Sequence, residues 1–323
     1  MARDTWSVVG RAFSRPGAVL SIGGALFLGL VPTSYSPCPG SGQRTLTPTA
    51  YEKEPTQMSS AIQVRSSDTV LAGTDAGGGQ PAVLFLNGAF GTQRDWARTI
   101  SGLGDRYRIV TFDARGRGRS PRAPRYSFAA DLEDLSAVIE ATHLDQPILV
   151  GWSHGAALAV RYAAAHPGRV KGLVLADGAF PMPAPTAADQ DKARRMFRYL
   201  GPLMAIMAAF GRSAKVSGSQ AAEMNIDLRV ALSTIGPDYD AISCPVDFIV
   251  GSKPHTGSTD ADCRAMRATV PPLAEAHPNL VHYSTLEASH TELLSRFPGT
   301  IVDAIDDVAM KAAISSHERP KAG

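Results

Sequence analysis

Residues 148–160, ILVGWSHGAALAV, pass from an apolar strand through a Gly-Trp-Ser-His-Gly corner into an alanine-rich helix. A chain can turn that sharply only where the residues two before and two after the corner are small, and Gly151 and Gly155 meet the demand. Such a turn lifts the Ser153 hydroxyl above a sheet and aims the backbone N–H of His154 at whatever the serine attacks. The strand itself carries no polar residue, so it belongs to a sheet covered on both faces.

The rest of the body follows the same rhythm. AIQVRS and TVLAG resemble a hairpin, and AVLFL (82–86), RIVTF (108–112), PILVG (147–151), VKGLVLA (170–176), VDFIVG (246–251) and LVHYSTL (280–286) follow, most of them separated by amphipathic stretches. Strand and helix in alternation predict an α/β fold, a mostly parallel central sheet flanked by helices. Between 181 and 242 no strand is legible, but helical patterns run over 189–210 and 219–235. An all-helical insertion there is expected to cap the carboxyl ends of the strands, where open α/β sheets bind ligands. The expected organisation is thus a signal or anchor segment and linker over 1–59, a core over 60–181 and 243–316, a helical cap over 182–242, and a tail over 317–323. Met196, Met204, Met207 and Met224 could line an apolar pocket in that cap or simply fill its core.

At 323 residues with 44% hydrophobic content the chain can bury a substantial core. Its net charge of +2 gives no field that would draw nucleic acid, and the arginines of DARGRGRS (113–120) read as a glycine-punctuated loop. Cys38, Cys244 and Cys263 are too few for a disulfide framework and too scattered for a zinc site. No metal or organic cofactor is called for. Near the N-terminus, Arg3, Arg11 and Arg15 precede the apolar run 17–31, a pattern like a secretory signal. As a helix that run would rise about 22 Å at 1.5 Å per residue, short of the roughly 30 Å hydrocarbon core. Export with cleavage is the first expectation, anchorage by this segment alone the second, and a cytoplasmic protein the alternative. Residues 37–59, rich in Pro, Ser, Thr and Gly, read as linker.

Two more features bear on Ser153. FLNGAFGTQRDW (85–96) leaves a strand through a glycine-bearing loop that can offer a second backbone donor to an oxyanion, from Ala89 or, failing that, Phe90. LEASHTELL (286–294) places His290 after the last strand, later in the chain than Ser153; His166, His255 and His277 sit in less suggestive places. Asn87, Phe90, Trp152, Phe180 and Met207 are the expected substrate contacts.

LNGAFGTQRDW, FDARGRGRS, LVGWSHGAALAV, LVLADGAF and ASHTELL occur in the order and approximate spacing of the α/β-hydrolase superfamily. The resemblance covers roughly residues 60–314. It implies a serine hydrolase that cleaves a carboxylic ester, lactone or thioester through an acyl-enzyme, with Ser153 as nucleophile, His290 as base and a small apolar ester-like substrate. A perhydrolase, a carbon–carbon bond hydrolase or a binding protein without turnover are the alternatives on the same frame. Dehalogenases and epoxide hydrolases of the superfamily attack with aspartate, which serine at 153 argues against.

This sequence departs from the family pattern twice. Asn87-Gly88 replaces the usual His-Gly, which should keep the backbone donor. Pro254 occupies the position where most members carry the acid. Asp177, at the end of the preceding strand where some branches place theirs, is the expected acid, with Asp260 second. Oligomeric state is left open.

Overall fold

The computed structural model describes residues 59–210, 213–254 and 260–317. The apolar run 17–31 and its linker lie outside them, as do Cys38 and His255. Eight strands, β1 (Ser59–Ser66), β2 (Thr69–Ala76), β3 (Ala82–Leu86), β4 (Arg108–Phe112), β5 (Ile148–Trp152), β6 (Gly172–Ala176), β7 (Val246–Gly251) and β8 (Leu280–Leu286), form one sheet. Their order is β1-β2-β4-β3-β5-β6-β7-β8. The β1–β2 hairpin and the β2–β4 pair are antiparallel, and every other pairing is parallel.

The central strands are unbroken apolar runs because alternate residues enter different cores. Leu84 and Leu86 of β3 join Leu149 of β5 and Phe248 of β7 on one face, under helices Phe128–Ala141 and His154–Ala165. Val83 and Phe85 point the other way, with Ile148, Val150 and Ile249, against helices Ala97–Leu103 and Pro298–His317. The second layer sits close: a Cβ on Gly172 would collide with Val308 of the last helix.

Helices Ala187–Ala209 and Gly218–Ser233 are inserted between β6 and β7. Each starts with a capping box, Thr186 with Asp189 and Ser217 with Gln220, which satisfies two backbone N–H groups at each start. Gly201 of the first faces Gly218 of the second across a gap with little room for a side chain. Phe197, Met204, Ala221 and Met224 form a third buried cluster between them, against which Met196 packs. These methionines are core. The Phe128 backbone N–H donates to Asp227 and ties the insertion to the sheet's helical layer. No helix among the described residues is long and apolar enough to cross a membrane, and no disulfide joins Cys244 to Cys263.

Candidate active site

Ser153 follows directly on β5 with φ +57° and ψ −113°, a backbone conformation that costs a residue with a Cβ. The surroundings enforce it. A Cβ on Gly151 would strike the Gly155 carbonyl, one on Gly155 would strike the Leu86 carbonyl, and one on Gly178 would strike the Ser153 carbonyl. The Ser153 N–H donates to the Ala176 carbonyl at 3.0 Å, which fastens the corner to the end of β6. Ser153 itself is partly exposed.

Asp177 leaves β6 with φ +47°. Its own N–H donates to the Ile249 carbonyl at 2.8 Å, and its Oδ1 accepts the Gly251 N–H at 3.0 Å, so β7 holds both its backbone and its carboxylate. Its Oδ2 lies 2.7 Å from His290 Nδ1. Burial alone would push this carboxyl up, but the His290 hydrogen bond and charge, the Gly251 N–H and Arg267 outweigh it and hold Asp177 below the usual carboxylate range. An ionised Asp177 accepts from Nδ1–H, and that assignment makes Nε2 the basic nitrogen of the neutral ring.

The loop that carries His290 is fixed in turn. Trp152 donates its indole N–H to the His290 carbonyl at 3.1 Å, with the two rings 5.2 Å apart. Lys253 N–H donates to Ala288 at 3.0 Å, and Glu292 accepts from the Ser289 N–H at 3.0 Å and from its hydroxyl at 2.9 Å. Pro254 stands exposed beside this loop. Asp260, the alternative acid, is exposed in the first turn of helix Asp260–Arg267. The structure brings Asp177, and not Asp260, to His290. His166 stacks on Tyr162, and His277 contacts Asp240 and the Leu273 carbonyl.

On the other side of Ser153 lies a second buried pair that sequence reasoning missed. His154 Nε2 lies 2.8 Å from Asp131 Oδ2, on helix Phe128–Ala141. Asp131 Oδ1 is 3.5 Å from Arg117 Nη1, an ion pair too long for a strong hydrogen bond. Arg117 Nε then donates to the Ala89 carbonyl at 2.9 Å, and its Nη1 to the Arg115 carbonyl at 2.6 Å. Burial would push the Asp131 carboxyl up, yet Arg117 and His154 outweigh it and keep it below the ordinary value. One chain of contacts therefore joins both residues expected to stabilise an oxyanion.

The first helical residue, His154, has no intrahelical acceptor for its N–H. The Gly91 N–H donates to the Gly88 carbonyl at 3.0 Å, closing a turn around Ala89 and Phe90. In a trans peptide N–H and C=O point opposite ways. The Gly88–Gly91 bond thus directs the Ala89 N–H, and the Arg117 bond directs the Phe90 N–H. The DARGRGRS loop is the base for this arrangement rather than an exposed basic patch: Arg115 and Arg117 are fully buried, and Arg115 makes paired bonds to Asp134 at 2.8 and 2.7 Å. A Cβ on Gly118 would run into the Asp113 carboxyl, which explains that glycine.

The expected substrate contacts divide. Phe90 packs on Phe197 of the insertion with ring centroids 5.7 Å apart, and Trp152 lies under Gly88 and Gly91. Met207 is half-buried near the end of helix Ala187–Ala209. Two expectations need correcting. Phe180 is buried against Phe248 at 5.6 Å, so it serves the core. Asn87 donates to the Phe112 carbonyl and accepts from the Trp96 indole, both at 2.8 Å, so its amide braces the strand ends. Among the described residues no group of three or more His, Cys, Asp or Glu side chains could hold a metal ion.

This fold and the spacing of its motifs define an α/β-hydrolase. The model of the α/β-hydrolase fold family matches residues 81–212 of this chain. Among curated proteins it is 35% identical over 102 residues to RutD of Caulobacter vibrioides, whose name gives it the provisional role of carbamate hydrolase, and 34% identical over 99 residues to the mouse sn-1-specific diacylglycerol lipase ABHD11. Those matches cover 31% and 30% of this chain and only 38% and 32% of the relatives' own lengths. Among solved structures, the haloalkane dehalogenase DbeA of Bradyrhizobium elkani superposes with a TM-score of 0.62 at 19% identity, over 80% of this chain and 100% of that one. The enol-lactonase of Burkholderia xenovorans gives 0.58 at 18%, over 77% and 100%. At such identities the likeness is one of fold.

Proposed function

We propose that the protein is a serine hydrolase that cleaves a carboxylic ester, lactone or thioester through an acyl-enzyme. The observation that carries the reading is the 2.7 Å bond between Asp177 and His290, at the end of the strand next to that of a serine at positive φ. In this mechanism His290 Nε2 takes the Ser153 proton as the oxygen attacks the carbonyl carbon, and returns it to the leaving alcohol. Asp177 stabilises the imidazolium that forms. The N–H groups of Ala89 and His154 receive the oxyanion, and water repeats the cycle to release the acid. The inserted helices form the cap, and the Phe90–Phe197 contact favours an apolar substrate.

A chain-length panel of chromogenic esters, with lactones and thioesters beside it, tests this. The expected result is turnover with a preference for medium acyl chains. No turnover of any of the three classes by folded protein would reject the reading. Export or anchorage through residues 17–31 is proposed alongside; amino-terminal sequencing of protein from outside the cytoplasm should then begin after about Ser34 under the cleavage pattern of export signals.

A further inference from the structure

The outward face of helix Ala187–Ala209 is apolar. Tyr199 is 78% exposed, Leu203 44%, Ile206 58% and, directly after the helix, Phe210 77%. Their spacing of four, three and four residues puts them in one stripe. Large exposed apolar side chains are otherwise sparse among the described residues, so the stripe is not the ordinary scatter of a protein surface.

Charge distinguishes what could cover it. Between residues 192 and 222 the sequence holds no acidic residue. Lys192 and Arg195 lie on the same face one to two turns before Tyr199, with Arg198 at its edge, all three exposed. None of the three forms an ion pair among the described residues, whereas Arg194, off the stripe, is taken by Glu223 and Asp191. The stripe itself carries no acid, and a second copy of the same face would offer these cations only Asp189 and Asp191, which flank its N-terminal end. An apolar stripe continued by cations matches the surface of an anionic bilayer, apolar side chains entering the acyl boundary and cations meeting the head groups.

We propose that this face docks on an anionic lipid surface. The inner side of the same helix carries Phe197, which packs on Phe90 of the loop beside Ser153, so docking would seat the candidate site at the interface. Binding can be read without turnover, so the proposal stands apart from the hydrolase reading. It is also local to residue 203, so adsorption through the N-terminal apolar run cannot imitate it.

The test uses the full chain carrying Leu203→Trp and vesicles with brominated acyl chains, either phosphatidylglycerol or phosphatidylcholine. Leu203 is exposed, so the variant should fold, and an unchanged melting curve checks this. The expected result, after subtracting the wild-type signal, is blue-shifted emission quenched by brominated phosphatidylglycerol and little by phosphatidylcholine. Adding Lys192→Glu, Arg195→Glu and Arg198→Glu together should weaken the phosphatidylglycerol affinity by roughly tenfold or more, and salt should do the same. Absence of quenching, even in protein that sediments with the vesicles, overturns the proposal. So does equal quenching by both lipids, or a blue shift in buffer that grows with protein concentration, which would instead mark contact between copies.

Discussion

Ser153 has an aspartate-bound histidine on either side, and the two pairs are built differently. Asp177 holds His290 through Nδ1, and the imidazole side chain remains 20% exposed. Asp131 holds His154 through Nε2, the side chain is 6% exposed, and the remaining nitrogen is buried without a hydrogen-bond partner. In the first arrangement Asp177 takes Nδ1, and the proposed mechanism moves the proton at Nε2. The second buries both nitrogens and turns the imidazole into a strut that fixes the start of a helix. What separates a base from a brace is therefore which nitrogen the carboxylate takes and whether the other can reach a reactant.

Replacement of the proposed nucleophile should have the largest effect: Ser153→Ala should abolish esterase turnover while leaving the fold intact, because the corner already favours small residues. Retention of more than a trace of activity would remove the serine from its role. Asp177→Asn should cost about 10⁴-fold in turnover, on the precedent of a triad acid that fixes the histidine tautomer, while Asp260→Asn should be mild. The reverse ranking in folded variants would hand the acid to Asp260. His290→Ala should lose about 10²- to 10⁴-fold, the usual range for general-base help.

The brace should respond more gently. Removing an oxyanion donor outright costs about 10²- to 10³-fold, so merely loosening one through Arg117→Ala should lower kcat by roughly tenfold with KM little changed. Arg117→Lys, which keeps the charge but not the fork, should recover only part of the loss. Equal losses in kcat and in thermal stability, with no difference between the alanine and lysine variants, would reduce Arg117 to a packing residue.

The smallest effect concerns pH and the floor of the same loop. Burial pushes the Asp95 carboxyl up to about 6, with Asp113 adding to the rise and the Thr92 N–H opposing it. A carboxyl raised on folding keeps its proton in the native state after the unfolded chain has released it. Its contribution is therefore full below the unfolded pKa of 3.8 and is lost as pH rises through about 6. Asp95→Asn should accordingly gain stability relative to the parent between about pH 4 and pH 7, as read by urea unfolding. A difference that stays constant or shrinks would contradict that assignment.

How much of this the sequence could disclose follows from how local each signal is. The strands were legible because double burial writes them as unbroken apolar runs, and the corner was legible because Gly151 and Gly155 flank it at fixed offsets. Asp177 stood out once Pro254 occupied the usual position of the acid. Phe180 and Asn87 were misjudged because no local pattern says which way a side chain turns after a strand ends. The Arg117–Asp131–His154 chain joins three separate segments, so it leaves no periodicity. Its faint trace is two arginines in a glycine-rich loop, followed by Asp131 and Asp134 one turn apart on the next helix.

The division between the two histidines can be tested by the rate at which a fluorophosphonate labels Ser153, followed by peptide mass spectrometry in the parent, Asp177→Asn and Asp131→Asn proteins. The account predicts stoichiometric labelling at Ser153 in the parent, labelling slowed by orders of magnitude in Asp177→Asn, and a far smaller change in folded Asp131→Asn. Labelling at another residue, or Asp131→Asn as slow as Asp177→Asn, would contradict it.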